Sequence, residues 1–231
     1  MLKVIRFIDR ITDIVLLLFF LLLFLIGAYT MYDTALIYNQ ADDAELLSYK
    51  PTRADIESGW DMSAISDDVV AWLTVHGTNI DYPVMQGENN MEYLNKDPFG
   101  EYSLAGSIFL DSRNAPDFSD PYSLIYGHHM EHGRMFGGLD EYFDLDYFDS
   151  HRSGELIVAD KIYDIEFFAV LKADASVKEI FDPTETDGTL DYVRQHAFIW
   201  REPRGEKLIA LSTCKTSQTT ARTIVFGVMK E

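Results

Sequence analysis

Residues 14–32 read IVLLLFFLLLFLIGAYTMY, nineteen positions without a charge. A helix of that length crosses a hydrocarbon core of about 30 Å. The main alternative is a secretory signal peptide, whose apolar region runs about 7–15 residues and ends at a small-x-small site. Here the run ends in GAYTMY, without such a site, so the pattern predicts an uncleaved anchor. Lys3, Arg6 and Arg10 precede it, whereas Asp33, Asp42, Asp43 and Glu45 follow before any further basic residue. The positive-inside rule then predicts a cytoplasmic stub over 1–13, a single-pass cell-membrane anchor over 14–32 and the remainder outside.

Residues 33–65 are polar with spaced apolar positions (Leu36, Leu46, Leu47, Ile56, Trp60), a pattern for one or two short helices. From residue 66 the texture changes to short β-rich segments bounded by Gly, Pro, Asn and Asp. Strands are predicted over 69–75, 80–86, 106–111, 123–129, 155–160, 162–173, 207–214 and 222–230. Eight strands in a stretch this short imply a mainly β barrel or sandwich. Helical spacing interrupts them at 135–143 and at 189–199, the latter inside a long insertion before the strand at 207. An insertion of that length has structure or function of its own.

Charge narrows the partners. The chain carries −19, and its first 13 residues hold three basic and two acidic groups, so the rest carries −20. Nucleic-acid phosphates demand Lys and Arg, which argues against nucleic acid as a partner. A solvated acidic surface accounts for the charge without a basic partner. Cys214 is the only cysteine, so no intramolecular disulfide exists. Outside the cytoplasm an unpaired thiol reads either as a reactive group or as a small buried hydrophobe.

In KLIALSTC, side chains alternate faces. Leu208, Ala210, Ser212 and Cys214 share one face, and Ile209, Leu211 and Thr213 the other, so Cys214 ends the strand beside the polar linker KTSQTTA. The strand RTIVFGVMK then returns antiparallel, bringing Arg222 roughly across from Cys214. A fixed guanidinium there favours thiolate and stabilises a developing oxyanion; pairing with a surface carboxylate is the competing reading. In YGHHMEHGRMF, the apolar strand breaks at Gly127 and presents His128 and His129 at a strand end. Histidine is the commonest general acid/base, and Cys with His from separate strand ends is an arrangement for thiol catalysis. A loop of solvated histidines is the bland alternative. A metal reading uses His128 and His132 at i and i+4, but the sequence lacks H-E-x-x-H, and Gly127 and Gly133 disfavour the helix it requires.

Taken together, ALSTC, ARTIVFG and YGHHM resemble the active-site pattern of sortases, membrane-anchored cysteine transpeptidases of Gram-positive bacteria. VVAWLTVHGTNIDYPVMQGENNMEYL, GSIFLDSRN and YGHHMEHGRMFGGLDEYF resemble class B within that family. The resemblance covers residues 66–231. It implies an eight-stranded sortase-type β-barrel, with N-terminal helices and a helix in the long loop before the cysteine strand. It implies Cys214 as nucleophile, His128 as proton-transfer residue and Arg222 as oxyanion or substrate stabiliser. Tyr126, Ser212 and Thr213 would line the site, and Tyr192 and Val193 would form a substrate-facing wall. It also implies substrates bearing a C-terminal sorting signal cleaved after threonine, and an acceptor amine from a peptidoglycan precursor or a pilin lysine. No cofactor or metal is expected. The chain departs from the family pattern at Ala210, where threonine is usual, at Lys215, where an acidic residue is common, and at His129, where Asn is frequent.

Overall fold

The computed structural model describes residues 2–41, 44–213 and 221–231. The chain divides into two compact units, Met1–Gln40 and Ala41–Glu231. The first is built from one helix, α1 (Leu2–Ala41). Its stretch Ile5–Ala35 is long and apolar enough to cross a membrane, with a mean hydropathy of 2.8. The apolar run thus lies within a longer helix that takes in Lys3, Arg6 and Arg10 before it and Asp33 after it.

The second unit is a closed barrel. Its strands are β1 (Val69–Val75), β2 (Asp81–Met85), β3 (Ile108–Leu110), β4 (Tyr122–Gly127), β5 (Ser153–Val158), β6 (Lys161–Asp174), β7 (Ile199–Trp200), β8 (Leu208–Thr213) and β9 (Ala221–Lys230). The order is β5-β1-β2-β3-β4-β8-β9-β6, and β5 pairs again with β6, so eight strands close the ring and the two-residue β7 is appended to β6. Each of the eight ring strands overlaps the segment expected from pattern; β3 is three residues long where six were expected, β4 ends at Gly127 before the histidines, and residue 214 of the expected 207–214 strand lies outside the described residues. The pairings β2–β3 and β4–β8 are parallel and the others antiparallel.

One face of every ring strand fills the barrel: Ala71, Leu73, Val84, Ile108, Ile125, Leu156, Ile165, Ile209, Leu211 and Val225 are all buried there. The opposite face of β4, β6, β8 and β9 is covered as well. Leu124, Leu171, Ala210, Phe226 and Val228 pack beneath Ile180 of α5 (Lys178–Phe181) and Val193 of α6 (Thr189–His196). This double cover explains why β4 and β8 are buried at all six positions and read as continuous apolar runs. The Tyr122 hydroxyl donates to the Ile180 carbonyl (2.8 Å) and the Thr189 hydroxyl to the Glu179 carbonyl (2.8 Å), fastening the insertion to the barrel and to itself.

Two expectations shift. The helix expected over 189–199 ends at His196, because the Phe198 N–H donates to the Val170 carbonyl (2.8 Å) and the chain pairs with β6 as β7. The patch at 135–143 is a 3-10 turn (Gly137–Phe143), followed by α4 (Leu145–Ser150), which Asp144 caps by accepting from the Tyr147 N–H (2.9 Å).

The segment expected over 33–65 supplies α2 (Ala44–Leu47) and α3 (Arg53–Ser58). Both lie against the barrel wall, with Leu46 and Ile56 packed on Trp72 and Ile157. Asp81 anchors this contact. It accepts from Lys50 Nζ (2.8 Å), Trp72 Nε1 (2.7 Å) and Thr74 Oγ1 (2.9 Å).

Candidate active site

The parallel pairing of β4 with β8 sets the site. Its register runs from Tyr122↔Leu208 to Tyr126↔Ser212 and Gly127↔Thr213, so both strands leave the barrel side by side at one rim. Gly127 is required at that exit. A Cβ there would stand 2.4 Å from Ile108 Cδ1 and 2.8 Å from the Phe136 ring. His128 follows immediately and is half-buried.

The loop between β2 and β3 positions His128. Its Nε2 lies 2.6 Å from the Leu94 carbonyl oxygen. A carbonyl only accepts, so Nε2 carries the proton and Nδ1 is left as the nitrogen that can give or take one. Gly106 makes that contact possible. Its φ is +61°, and a Cβ would sit 2.5 Å from the Leu94 oxygen and 3.0 Å from His128 Cδ2. His129, the alternative to His128, is exposed and points elsewhere: its Nε2 meets Asp140 Oδ2 at 2.9 Å. Asp140 in turn accepts from the Thr223 hydroxyl, and the Thr223 N–H donates to Thr213 Oγ1 (3.0 Å).

Arg222 stands near the start of β9, opposite Ala173 of β6. Its guanidinium carbon lies 5.6 Å from the centre of the Tyr126 ring and 5.1 Å from that of Phe181, within cation–π reach of both. Its Nε is buried and has no hydrogen-bond partner among the described residues. Arg222 is therefore seated by ring faces, and no ion pair with a surface carboxylate occurs among the described residues, which disfavours the competing reading of this residue.

The Tyr126 hydroxyl donates to Asp111 Oδ2 (3.1 Å). Burial pushes the Asp111 carboxyl up, but hydrogen bonds and charge from Arg113 outweigh it and hold the group below the usual carboxylate range. Burial and the nearby Asp111 charge push the Tyr126 phenol far above its ordinary value, so it stays protonated and donates.

Of the other expected lining residues, Ser212 is fully buried and its hydroxyl contacts the Thr213 carbonyl (3.2 Å), while Thr213 is 4% exposed. Val193 is fully buried on the barrel-facing side of the insertion's α6, and Tyr192 stacks on His196 at 4.0 Å. Val193 therefore packs the outer face of the barrel instead of walling an open groove. Cys214 and the linker to residue 220 lie outside the described residues. β8 and β9 pair antiparallel through Ser212↔Ile224, as expected of the hairpin.

The metal reading loses its geometry. His132 lies in a short 3-10 turn (Glu131–Gly133) with φ +60°, so His128 and His132 do not share a helix face. Among the described residues no group of three or more His, Cys, Asp or Glu is arranged to hold a metal ion.

Nothing in the pattern of the chain points to the Leu94 carbonyl, Gly106, Asp111, Arg113 or Phe181 as parts of the site. Asp111 and Arg113 lie in GSIFLDSRN, a stretch singled out only as a resemblance, and a backbone carbonyl leaves no trace in a sequence.

The sortase domain model matches residues 73–230. The chain belongs to the sortase family. It is 33% identical to sortase B of Listeria monocytogenes over 165 residues, covering 68% of this chain and 67% of that protein. A crystal structure of a Streptococcus pyogenes class B sortase involved in pilus biogenesis is 41% identical and superposes with a TM-score of 0.66, covering 72% of this chain and 95% of the other. The Staphylococcus aureus sortase B–substrate complex is 26% identical with a TM-score of 0.69, covering 84% and 92%. As a class B sortase the protein is a cysteine transpeptidase, acting on sorting-signal substrates and amine acceptors, and the eight-stranded barrel is the sortase barrel.

Proposed function

We propose that Cys214 is the nucleophile of this transpeptidase, His128 its proton-transfer residue and Arg222 the group that faces the oxyanion. The register of β4 against β8 carries the reading. Gly127 and Thr213 are paired, and in the sequence His128 follows the first and Cys214 the second. In this mechanism the Cys214 thiolate attacks the carbonyl carbon of the threonine in a C-terminal sorting signal. The oxyanion collapses, the C–N bond breaks, and imidazolium His128 protonates the leaving amine. The acceptor amine then attacks the thioester, giving up its proton to His128, and the thiolate is released. Dividing one difficult displacement into two steps lowers the barrier that each must cross. The Arg222 Nε, without a hydrogen-bond partner among the described residues, is a donor for the oxyanion or a substrate carbonyl in this reading, and Tyr126, Ser212 and Thr213 are its lining residues.

The acceptor in this reading is a peptidoglycan-precursor amine, so that surface proteins are anchored to the cell wall. A pilin lysine is kept beside it, because the pilus-associated sortase is 41% identical to this chain against 26% for the Staphylococcus aureus enzyme. We also propose residues 1–13 as a cytoplasmic stub, 14–32 as the anchor, 33–65 as the juxtamembrane segment and 66–231 as an extracellular catalytic domain. Lys3, Arg6 and Arg10 set that orientation.

The deciding experiment is intact-mass measurement of the full chain in detergent with peptides of N-P-x-T-x and L-P-x-T-x type and no acceptor. The expected result is a gain equal to the peptide up to its threonine, absent in Cys214→Ala. An adduct that persists in Cys214→Ala, or none with a thiol inert to alkylation, defeats the assignment. Adding a glycine-based amine or a pilin-derived lysine peptide afterwards identifies the acceptor by which one releases the adduct.

A further inference from the structure

Arg222 has an aromatic seat, and both walls of that seat lead to one residue. The first wall is Tyr126, whose hydroxyl donates to Asp111 Oδ2 (3.1 Å). Asp111 is fully buried and held by a fork from Arg113, with Nε on Oδ1 (2.9 Å) and Nη2 on Oδ2 (2.8 Å). Asn90 Nδ2 adds a further donor to Oδ2 (2.8 Å). The second wall is Phe181, at the end of α5. Arg113 Nη2 also donates to the Phe181 carbonyl (2.6 Å), and Nη1 reaches Asp182 Oδ1 (3.3 Å). A planar guanidinium with donors in a fixed fork can hold two elements at a set separation, which a lysine ammonium cannot.

We propose that Arg113, through Asp111–Tyr126 on one side and the Phe181 carbonyl on the other, is a positioning residue that sets the aromatic clamp aiming Arg222 at the reacting carbonyl. This rests on the reading of Arg222 given above. The barrel contributes Tyr126, Asp111 and Arg113, and the insertion contributes Phe181, so the insertion completes the site by supplying half of the seat. Without the fork, Phe181 is left with only the Tyr122 bond to the neighbouring Ile180 carbonyl and the packing of Ile180 as its hold on the barrel, Tyr126 loses a fixed acceptor, and the guanidinium between them gains freedom to tilt. Because Arg222 is held by ring faces, nothing in its described hydrogen bonding compensates.

The test is a double-mutant cycle on the full-length protein in detergent, reading single-turnover thioester formation with the sorting-motif peptides. Arg222→Ala alone is expected to slow acylation about 100-fold or more. Arg113→Met alone is expected to slow it about 10- to 100-fold, the scale of a misplaced group. In the Arg222→Ala background, Arg113→Met is expected to add less than about twofold, because its effect runs through Arg222. Tyr126→Phe keeps the ring and deletes the tether, and its loss is expected to vanish in the same background. It carries the cycle should Arg113→Met fail to fold. Equal losses in both backgrounds, or no loss from either tether variant, overturn the inference and leave the role of Arg222 standing. Undiminished acylation in Arg222→Ala overturns that role and the inference with it.

Discussion

Gly106→Ala should damage catalysis through His128, although residue 106 carries no functional group. At φ +61° an alanine pays the left-handed penalty of about 1–2 kcal/mol. Its Cβ would lie 2.5 Å from the Leu94 oxygen and 2.7 Å from the Tyr93 oxygen, where real Cβ contacts do not come below 3.0 Å. Both neighbours are backbone, so no flexible side chain can yield. The Leu94 carbonyl must retreat by at least about 0.5 Å, and its bond to His128 Nε2, now 2.6 Å, is the one it stretches or tilts. Backbone displacement in a packed site adds about 1–3 kcal/mol, giving a total loss of about 2–5 kcal/mol. A freed imidazole loses its fixed tautomer and orientation, with an expected fall in acylation of about 10- to 100-fold. Thermal melting followed by circular dichroism measures the first quantity, and thioester formation by intact mass, well below the melting point and across pH 5–9, measures the second. A variant that melts with the parent and acylates at the parent rate would show that the Leu94–His128 contact does not organise the site.

Asp81→Ala strands the Trp72 indole N–H in the wall and releases Lys50, at a cost of about 1–3 kcal/mol; unfolding in urea followed by Trp emission measures it, and an unchanged midpoint would disprove that Asp81 anchors the α2–α3 segment. Asp111 has a folded-state pKa below its unfolded value of about 3.9, so its contribution to stability is complete above about pH 4 and is lost as pH falls further. Asp111→Asn should therefore be about 1–3 kcal/mol less stable than the parent at pH 7, with the gap closing in acid, and a gap independent of pH would contradict the depressed carboxyl. Val193→Ala removes a fully buried side chain and should cost about 1.5–3 kcal/mol with little change in KM for the peptide; unchanged melting with a raised KM would return Val193 to the substrate groove.

The eight strands of the ring were legible from the chain because each is a short apolar run between turn residues, and that signal is local. The apolar run at 14–32 was legible for the same reason, since length and absence of charge are properties of consecutive residues. The alternation in KLIALSTC separated Ile209 and Leu211, which point into the barrel, from Leu208 and Ala210 on its outer face, because period 2 follows from backbone geometry alone. Residue type and position at strand ends single out Arg222 and the pair His128–His129, and only the resemblance to sortases points to His128 of the two. What seats them was decided only in three dimensions. The parallel register joining Gly127 to Thr213 connects residues 86 apart. The fork of Arg113 reaches Phe181 across 68 positions. Val193 looked like a groove wall until the outer face of β6–β9 took it as cover. Helix and strand are written in neighbouring residues, whereas a hydrogen bond between a ring nitrogen and the Leu94 carbonyl depends on which distant loop the closed barrel brings alongside.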